Sequence, residues 1–311
     1  MFIHETVLLQ ETVDAVVTNK EGVYLDCTLG GGGHSALLLE TLSPAGRVLG
    51  LDQDETALEN ARTRFEALGQ FEAVRSNFRD LDSVLDERGI AKIDGVLYDL
   101  GVSSPQLDEG DRGFSYHQQA PLDMRMDRSA PLTAADVVNT YDKDELTRII
   151  LEYGEERWAQ RIAQFIVEAR AEKPLQTTGD LVTVIKQAIP SGVRREGGHP
   201  GRKTFQAIRI EVNDELGALQ ESLQKAVDRL TPGGRIAVIT FHSLEDRIVK
   251  NFFQVEARGC DCPPGFPVCV CGKTPKLKIL TRKPILADEP ELNRNRRARS
   301  AKLRVAERIE K

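Results

Sequence analysis

Three apolar runs within the first hundred residues each end in an aspartate, and each gives way to a segment of different character. Val23-Tyr-Leu-Asp26 leads into Gly30-Gly-Gly-Gly33 and the helix-like stretch His34 to Leu42. Arg47-Val-Leu-Gly-Leu-Asp52 leads into Glu55 to Leu68, rich in Ala, Leu, Glu and Arg. Phe71 to Val74 and Ile93-Asp-Gly-Val-Leu-Tyr-Asp99 complete four candidate strands. Strands alternating with helices in this way predict crossover connections and a parallel sheet covered on both faces, an α/β fold. Ligands of such sheets bind at the carboxyl ends of the strands, where Asp26, Asp52 and Asp99 fall.

The rhythm stops after Pro105. Between Leu107 and Arg202 no run reads as a strand, whereas Leu146, Ile149, Ile150 and Tyr153 recur at helical spacing, as do Trp158, Ile162, Phe165 and Ile166. Asp180 opens another helical segment, Leu181 to Ile189, closed by Pro190 and Gly192. The segment 107–203 therefore reads as a helical domain inserted into an α/β domain made of residues 1–106 and 204–311. Thr204 to Leu230 reads as one helix returning to the sheet. Arg235 to Phe241 is a buried strand behind the turn Thr231-Pro-Gly-Gly234, and Ser243 to Glu256 a helix. Leu277 to Thr281 and Ala301 to Ile309 alternate apolar and charged residues, as strands at a sheet edge do.

The strongest chemical signal is Asp26-Cys-Thr-Leu-Gly30-Gly-Gly-Gly33-His34-Ser35. Four glycines between a strand and a helix clear side chains from the path of a ligand and permit positive φ in a tight turn. Asp52, one crossover unit on, can accept hydrogen bonds from both hydroxyls of a ribose. Together they indicate a nucleoside cofactor. Gly31-x-Gly33-x-x-Ala36 also fits a relaxed dinucleotide fingerprint, but a glycine run satisfies many templates. The charge of Asp26 works against a diphosphate and suits a methionine ammonium or its bound water.

Charge distribution says more than net charge. Lys273 to Lys311 hold thirteen Lys and Arg against five Asp and Glu, a balance of +8 that leaves −14 for residues 1 to 272 of a chain carrying −6 overall. A basic tail on an acidic body suits phosphate contacts made by one face, or is a solvated terminus. No apolar run reaches the roughly 18 residues of a membrane span, and the mixed N-terminus lacks the form of a signal peptide, so a cytoplasmic protein is expected. Cys27 sits in an apolar run and reads as a core residue. Cys260-x-Cys262 and Cys269-x-Cys271, with Pro263, Pro264, Gly265 and Pro267 between, could bind structural zinc, remain a metal-free loop or form a labile disulfide. One intervening residue, in place of the usual two to four, makes the spacing only moderately specific, and no metal is assigned. A catalytic metal is disfavoured because four thiolates fill a tetrahedral site.

A set of longer motifs carries a family resemblance: Asp26 to Ser35; Asp99-Leu-Gly-Val-Ser-Ser-Pro-Gln106-Leu-Asp108; Arg112-Gly-Phe-Ser115; Pro121-Leu-Asp-Met-Arg-Met-Asp127; Tyr153-Gly-Glu-Glu-Arg157; Thr204-Phe-Gln-Ala-Ile-Arg209; and Phe241-His-Ser-Leu-Glu-Asp-Arg247. From His4 to beyond Arg304 the chain resembles the ribosomal RNA small subunit methyltransferase H family. The resemblance implies a bacterial, cytoplasmic enzyme with a Rossmann-like S-adenosylmethionine-dependent methyltransferase fold and an inserted all-helical domain. It implies methylation of the exocyclic N4 amine of a decoding-centre cytidine in 16S ribosomal RNA, met either as free RNA or within the small ribosomal subunit. It further implies that Gly32, Gly33 and His34 contact the cofactor, that Asp52 takes its ribose, that Phe78 lies near the adenine, and that Asp99 and Gln106 complete the site. The cysteine cluster is outside the family's required pattern.

Methyl transfer to a nitrogen is chiefly a positioning problem. A cytosine amine is a weak nucleophile, and positive charge develops on N4 as the methyl arrives, so a carboxylate accepting from its N–H groups stabilises the transition state. The Asn- or Asp-Pro-Pro-aromatic motif of amino-methyltransferases acting on DNA is absent, since Asp99-Leu-Gly-Val stands in its place. Asp99 and Asp123 are the candidate acceptors. The loop Arg194 to Lys203, with Arg202 and Lys203, and the inserted helices are candidate phosphate contacts. Met124 and Met126 could line a base pocket or serve as packing. His242 follows the fifth strand and is assigned no acid–base role. The competing readings are a nicotinamide-dependent oxidoreductase, an RNA-binding assembly factor with a vestigial pocket, and a methyltransferase acting on protein or small molecules. Oligomeric state is not legible.

Overall fold

The structure is a computed structural model and describes residues 5–65, 67–103, 106, 110–192, 198–260, 262, 268 and 270–310. It divides into two compact units, residues 1–101 with 216–311, and residues 102–215. Among the described residues no helix is long and apolar enough to cross a membrane.

The first unit is built on seven strands: β1 Val23–Asp26, β2 Arg47–Asp52, β3 Phe71–Arg75, β4 Ile93–Asp99, β5 Leu230–Thr240, β6 Leu277–Ile279 and β7 Lys302–Arg308. They lie in the order β3-β2-β1-β4-β5-β7-β6. The first five are parallel, and β7 runs antiparallel to both β5 and β6. The order reverses between β1 and β4, so a crevice opens where their carboxyl ends diverge. Helices α1 Leu9–Val16, α2 Gly33–Thr41 and α3 Glu55–Phe65 pack on one face; α4 Leu81–Glu87, α10 Glu215–Arg229 and α11 Ser243–Glu256 pack on the other. Successive β4 residues divide between the two cores, Leu97 with α1 to α3 and Val96 and Tyr98 with α4, α10 and α11, because strand side chains alternate in direction.

β7 differs from the edge strand its alternation predicts. It is interior, with Leu303, Arg304, Val305 and Ala306 buried and β6 outside it. Arg304 tolerates burial because its guanidinium meets Asp246 of α11, with Nε 2.7 Å from Oδ1. A buried ion pair thus mimics a solvent-facing residue in the sequence.

The second unit is helical: α5 Ala134–Thr140, α6 Lys143–Glu152, α7 Ala159–Glu172, α8 Thr178–Ala188 and α9 Arg202–Asn213. Pro121 and Thr177 form an isolated bridge, but no strand runs through the described residues of this unit. Three helices open on reciprocal capping boxes, Thr133 with Asp136, Asp142 with Glu145, and Thr177 with Asp180. Leu146, Ile149, Ile150, Ile162 and Ile166 form the centre of its core.

The single helix expected from Thr204 to Leu230 is two. Asp214 closes α9 in the left-handed region at φ 46°, and α10 starts at the next residue. Phe205, Ile208 and Val212 of α9 belong to the helical core, whereas Leu219, Leu223 and Val227 of α10 belong to the sheet. The boundaries consequently lie at 101/102 and 215/216 instead of 106/107 and 203/204. Unbroken apolar periodicity conceals which core each turn enters. Ile149→Ala should lower the unfolding free energy of the helical unit by about 2–5 kcal/mol, read by urea denaturation; a loss under about 0.5 kcal/mol would show that this core does not hold the unit together.

Candidate active site

β1, β2 and β4 each deliver an aspartate to the same edge of the sheet. The loop after β1 is stitched across its neighbours: the N–H of Cys27 donates to Leu97 O and that of Leu29 to Leu51 O, both at 2.9 Å. Thr28 Oγ1 accepts from the N–H of Asp99 at 2.6 Å, joining this loop to the end of β4.

The glycines that follow are demanded partly by the protein itself. Gly32 has φ 71°, and a Cβ there would stand 2.9 Å from the ring of Phe65; a Cβ on Gly33 would overlap Thr6. Gly30 is also left-handed, and its N–H donates to Asp52 Oδ2 at 2.8 Å. No side chain caps α2 at Gly32, so the helix presents its first-turn amides at the sheet edge beside exposed Gly31. His34, on that first turn, is buried, and its Nδ1 lies 3.8 Å from Asp99 Oδ2.

The three carboxyl groups are held differently. Asp26 is 1% exposed. Its Oδ2 accepts from Ser35 Oγ at 2.7 Å and its Oδ1 from the Thr28 N–H at 3.1 Å. It therefore lies beneath the loop, which places its influence on a ligand at a distance and not at contact. Burial pushes it up to about 6, against those two hydrogen bonds. Burial also raises Asp52 to about 6, although the N–H groups of Asp54 and Gly30 oppose the shift. These two donors each hold one Asp52 oxygen and fix the plane of the carboxylate, with the Gln53 amide as a further backbone donor. Asp99 is raised furthest, to about 8, first by burial and then by the charges of Asp26 and Glu245, with Arg297 opposing. A quarter of its side chain reaches solvent, at 24%, yet Oδ1 has no hydrogen-bond partner among the described residues.

Phe78 follows β3 and stands edge-on to Tyr98, ring centroids 5.6 Å apart. Asn77 beside it donates through Nδ2 to Gln53 Oε1 at 3.0 Å, tying this turn to the residue after Asp52. Gly32, Gly33, His34, Asp52, Phe78 and Asp99 all belong to the first unit.

The other expected residues belong to the helical unit. Gln106 is buried and its Oε1 accepts from the Ser103 N–H at 3.0 Å. Asp123 is gripped by Arg125, whose Nε and Nη2 lie 3.0 and 2.7 Å from its two oxygens, and these bonds hold its carboxyl below the usual range against partial burial. Arg202 is exposed, while Lys203 spends its ammonium on Glu155 O at 2.8 Å. Met124 is buried in the helical core and is packing. Ser104, Pro105, Leu107, Asp108, Arg194, Arg195 and Cys269 lie outside the described residues.

His242 caps α11, and Glu245, 2% exposed, returns its carboxylate to the N–H of Phe241 at 2.7 Å. Sequence reasoning missed Glu245 and Arg297 as modulators of Asp99. The His242-x-x-Glu245 spacing ahead of an apolar-periodic run signals the cap. Nothing local signals Arg297, which comes from the distant basic segment.

A parallel sheet that reverses between β1 and β4, with an antiparallel β7 inserted before β6 and acids at three strand ends, is the Rossmann-like fold of S-adenosylmethionine-dependent methyltransferases. Residues 1–309 match the MraW methylase family, and the chain belongs to it. It is 59% identical over 310 residues to the ribosomal RNA small subunit methyltransferase H of Heliobacterium mobile, covering 99% of each. It is 58% identical over 310 residues to the protein of that name from Symbiobacterium thermophilum, covering 99% of this chain and 98% of that one. An rRNA methylase of known structure from Streptococcus thermophilus aligns at 12% identity with a TM-score of 0.41, over 96% of this chain and 92% of that one.

A carboxyl raised by burial stabilises the fold while protonated and loses that contribution as pH rises towards its folded value. Asp99→Asn should therefore match the parent near the ordinary carboxylate value of 3.8 and become progressively more stable than it as pH approaches about 8. Thermal melting across that range checks this; parallel curves would refute it.

Proposed function

We propose that this chain transfers a methyl group from S-adenosylmethionine to the exocyclic N4 amine of a decoding-centre cytidine in 16S ribosomal RNA, presented in the small ribosomal subunit in the cytoplasm. The observation that carries the cofactor assignment is the trio Asp26, Asp52 and Asp99, each raised by burial at one sheet edge under a glycine turn. Such a site gains from a cationic nucleoside and repels a diphosphate, which disfavours a nicotinamide dinucleotide. The small-subunit RNA substrate rests on the names of the relatives at 54–59% identity over nearly the whole chain.

S-adenosylmethionine supplies the methyl group as an electrophile attached to a sulfonium. The chain's residues bind and orient. Asp52, its plane set by the Gly30 and Asp54 amides, accepts from the two ribose hydroxyls. Phe78, fixed against Tyr98, offers an aromatic surface to the adenine. Gly32, Gly33 and His34 present the amide end of α2. Asp99 is the better of the two candidate acceptors for the N4 protons: its Oδ1 lacks a partner among the described residues, whereas both oxygens of Asp123 face Arg125. The target base must be unstacked to reach the site. Arg202, exposed on the helical unit, is the stronger phosphate contact, since Lys203 is engaged by Glu155.

With labelled cofactor and unmodified small subunits, methylation should map to N4 of a single cytidine; a label on another base or on protein would refute the substrate. Asp52→Ala should weaken cofactor binding about 10–100-fold, the worth of about one hydrogen bond to a charged group. Asp99→Ala should lower turnover about 10²–10³-fold beyond any loss of cofactor affinity, the usual effect of removing one transition-state partner. Full turnover by Asp99→Ala at saturating cofactor would remove Asp99 as acceptor.

Arg202→Glu should weaken RNA binding and flatten its dependence on salt by about one unit of log–log slope, with Lys203→Glu doing less. An unchanged slope in Arg202→Glu would exclude phosphate contact there.

A further inference from the structure

The segment between Glu256, the last residue of α11, and Leu277, the first of β6, is a long connection without helix or strand among its described residues. Its base is closed by the protein. The N–H of Lys276 donates to Glu256 O at 2.7 Å, and Lys276 Nζ reaches Asp228 at 2.7 Å. Its far end holds Cys260, Cys262 and Cys271, whose sulfurs all lie within 4.8 Å of one another.

Ordinary packing does not explain this convergence. Cys27 behaves as a small apolar residue and is buried, but Cys260 and Cys271 are exposed and Cys262 is only partly covered. Thiols are weak hydrogen-bond partners, so three of them gain little by meeting in water. The spacing suits a shared ion. Sulfurs bound to a tetrahedral zinc at ~2.3 Å stand about 3.8 Å apart. Cys271 Sγ lies 3.8 Å from Cys260 Sγ, far beyond the ~2.05 Å of a disulfide.

The backbone supports thiolate charge at the same place. The N–H of Cys262 donates to Cys260 Sγ at 3.3 Å, and the N–H of Val270 donates to Cys262 Sγ at 3.4 Å. Gly272, directly after Cys271, takes φ 61°, and a Cβ there would meet nothing. The chain bends at Cys271 itself.

We propose that Cys260, Cys262 and Cys271 bind one zinc ion as thiolates, and that this ion, not a hydrophobic core, holds the connection between α11 and β6 in shape. Each Zn–S bond forms as a thiol proton leaves to solvent, with no change of oxidation state. An all-thiolate ligand set is that of structural zinc sites, so the ion's role is structural.

The test uses the full chain purified without chelator. Elemental analysis should find about one zinc per chain, released when a mercurial titrates the thiols. Growth or refolding with cobalt should give the visible ligand-field and sulfur charge-transfer bands of a tetrahedral thiolate site. The Cys260→Ser/Cys262→Ser pair should lose at least nine-tenths of the metal while keeping the circular dichroism and cofactor affinity of the parent. The cobalt spectrum of the parent stands whether or not that variant folds. Protein that takes up neither zinc nor cobalt, a Cys260–Cys271 disulfide found by non-reducing peptide mapping, or iron in the site would each overturn the proposal.

Discussion

Three carboxyl groups placed where their charge is unwelcome govern the candidate site. Asp26, Asp52 and Asp99 arrive at one edge because parallel strands all present their carboxyl ends on the same side, and they are neighbours because β1 lies between β2 and β4. Burial raises each of them, and the charge of Asp26 raises Asp99 further. Carboxyls raised in this way are drawn back towards ionisation by a cation, and a sulfonium nucleoside provides one.

The glycine turn serves the fold as well as the proposed cofactor site. Gly33 lets Thr6 approach, and Gly32 admits the ring of Phe65 while taking a left-handed backbone. The same bare backbone leaves the amino end of α2 without a side-chain cap. Packing and the proposed binding thus ask for the same residues, and a glycine run of this length does not by itself reveal which demand each position answers. Asp26 carries the same lesson. It looks like a ligand contact in the sequence, yet Ser35 and Thr28 hold it below the turn.

Most of the first unit was legible because its signals are local. Apolar runs ending in Asp26, Asp52 and Asp99 gave strands, and the Gly30 to Gly33 stretch gave the loop between β1 and α2. The helices from Lys143 to Ala188 followed from apolar spacing, their starts from capping residues. What escaped depended on distant partners. Arg304 reads as solvent-facing until Asp246 is seen opposite it, so β7 was misplaced at the edge. The break at Asp214 was hidden because α9 and α10 carry equally good apolar stripes, one for each core. Asp123 passed for a candidate acceptor until Arg125 was found closed on it.

The amino-acid sequence alone determined the family, the strand–helix alternation and the chemical types gathered at the strand ends, since these rest on contiguous motifs and short-range periodicity. Tertiary structure alone decided which carboxyl keeps an unpartnered oxygen, which cations are already spent, and which cysteines meet. Those outcomes depend on burial and on partners up to two hundred residues away, such as Glu245 and Arg297 acting on Asp99. Electrostatics and coordination are set by distance in space, and distance in space is what a linear string of residues does not record.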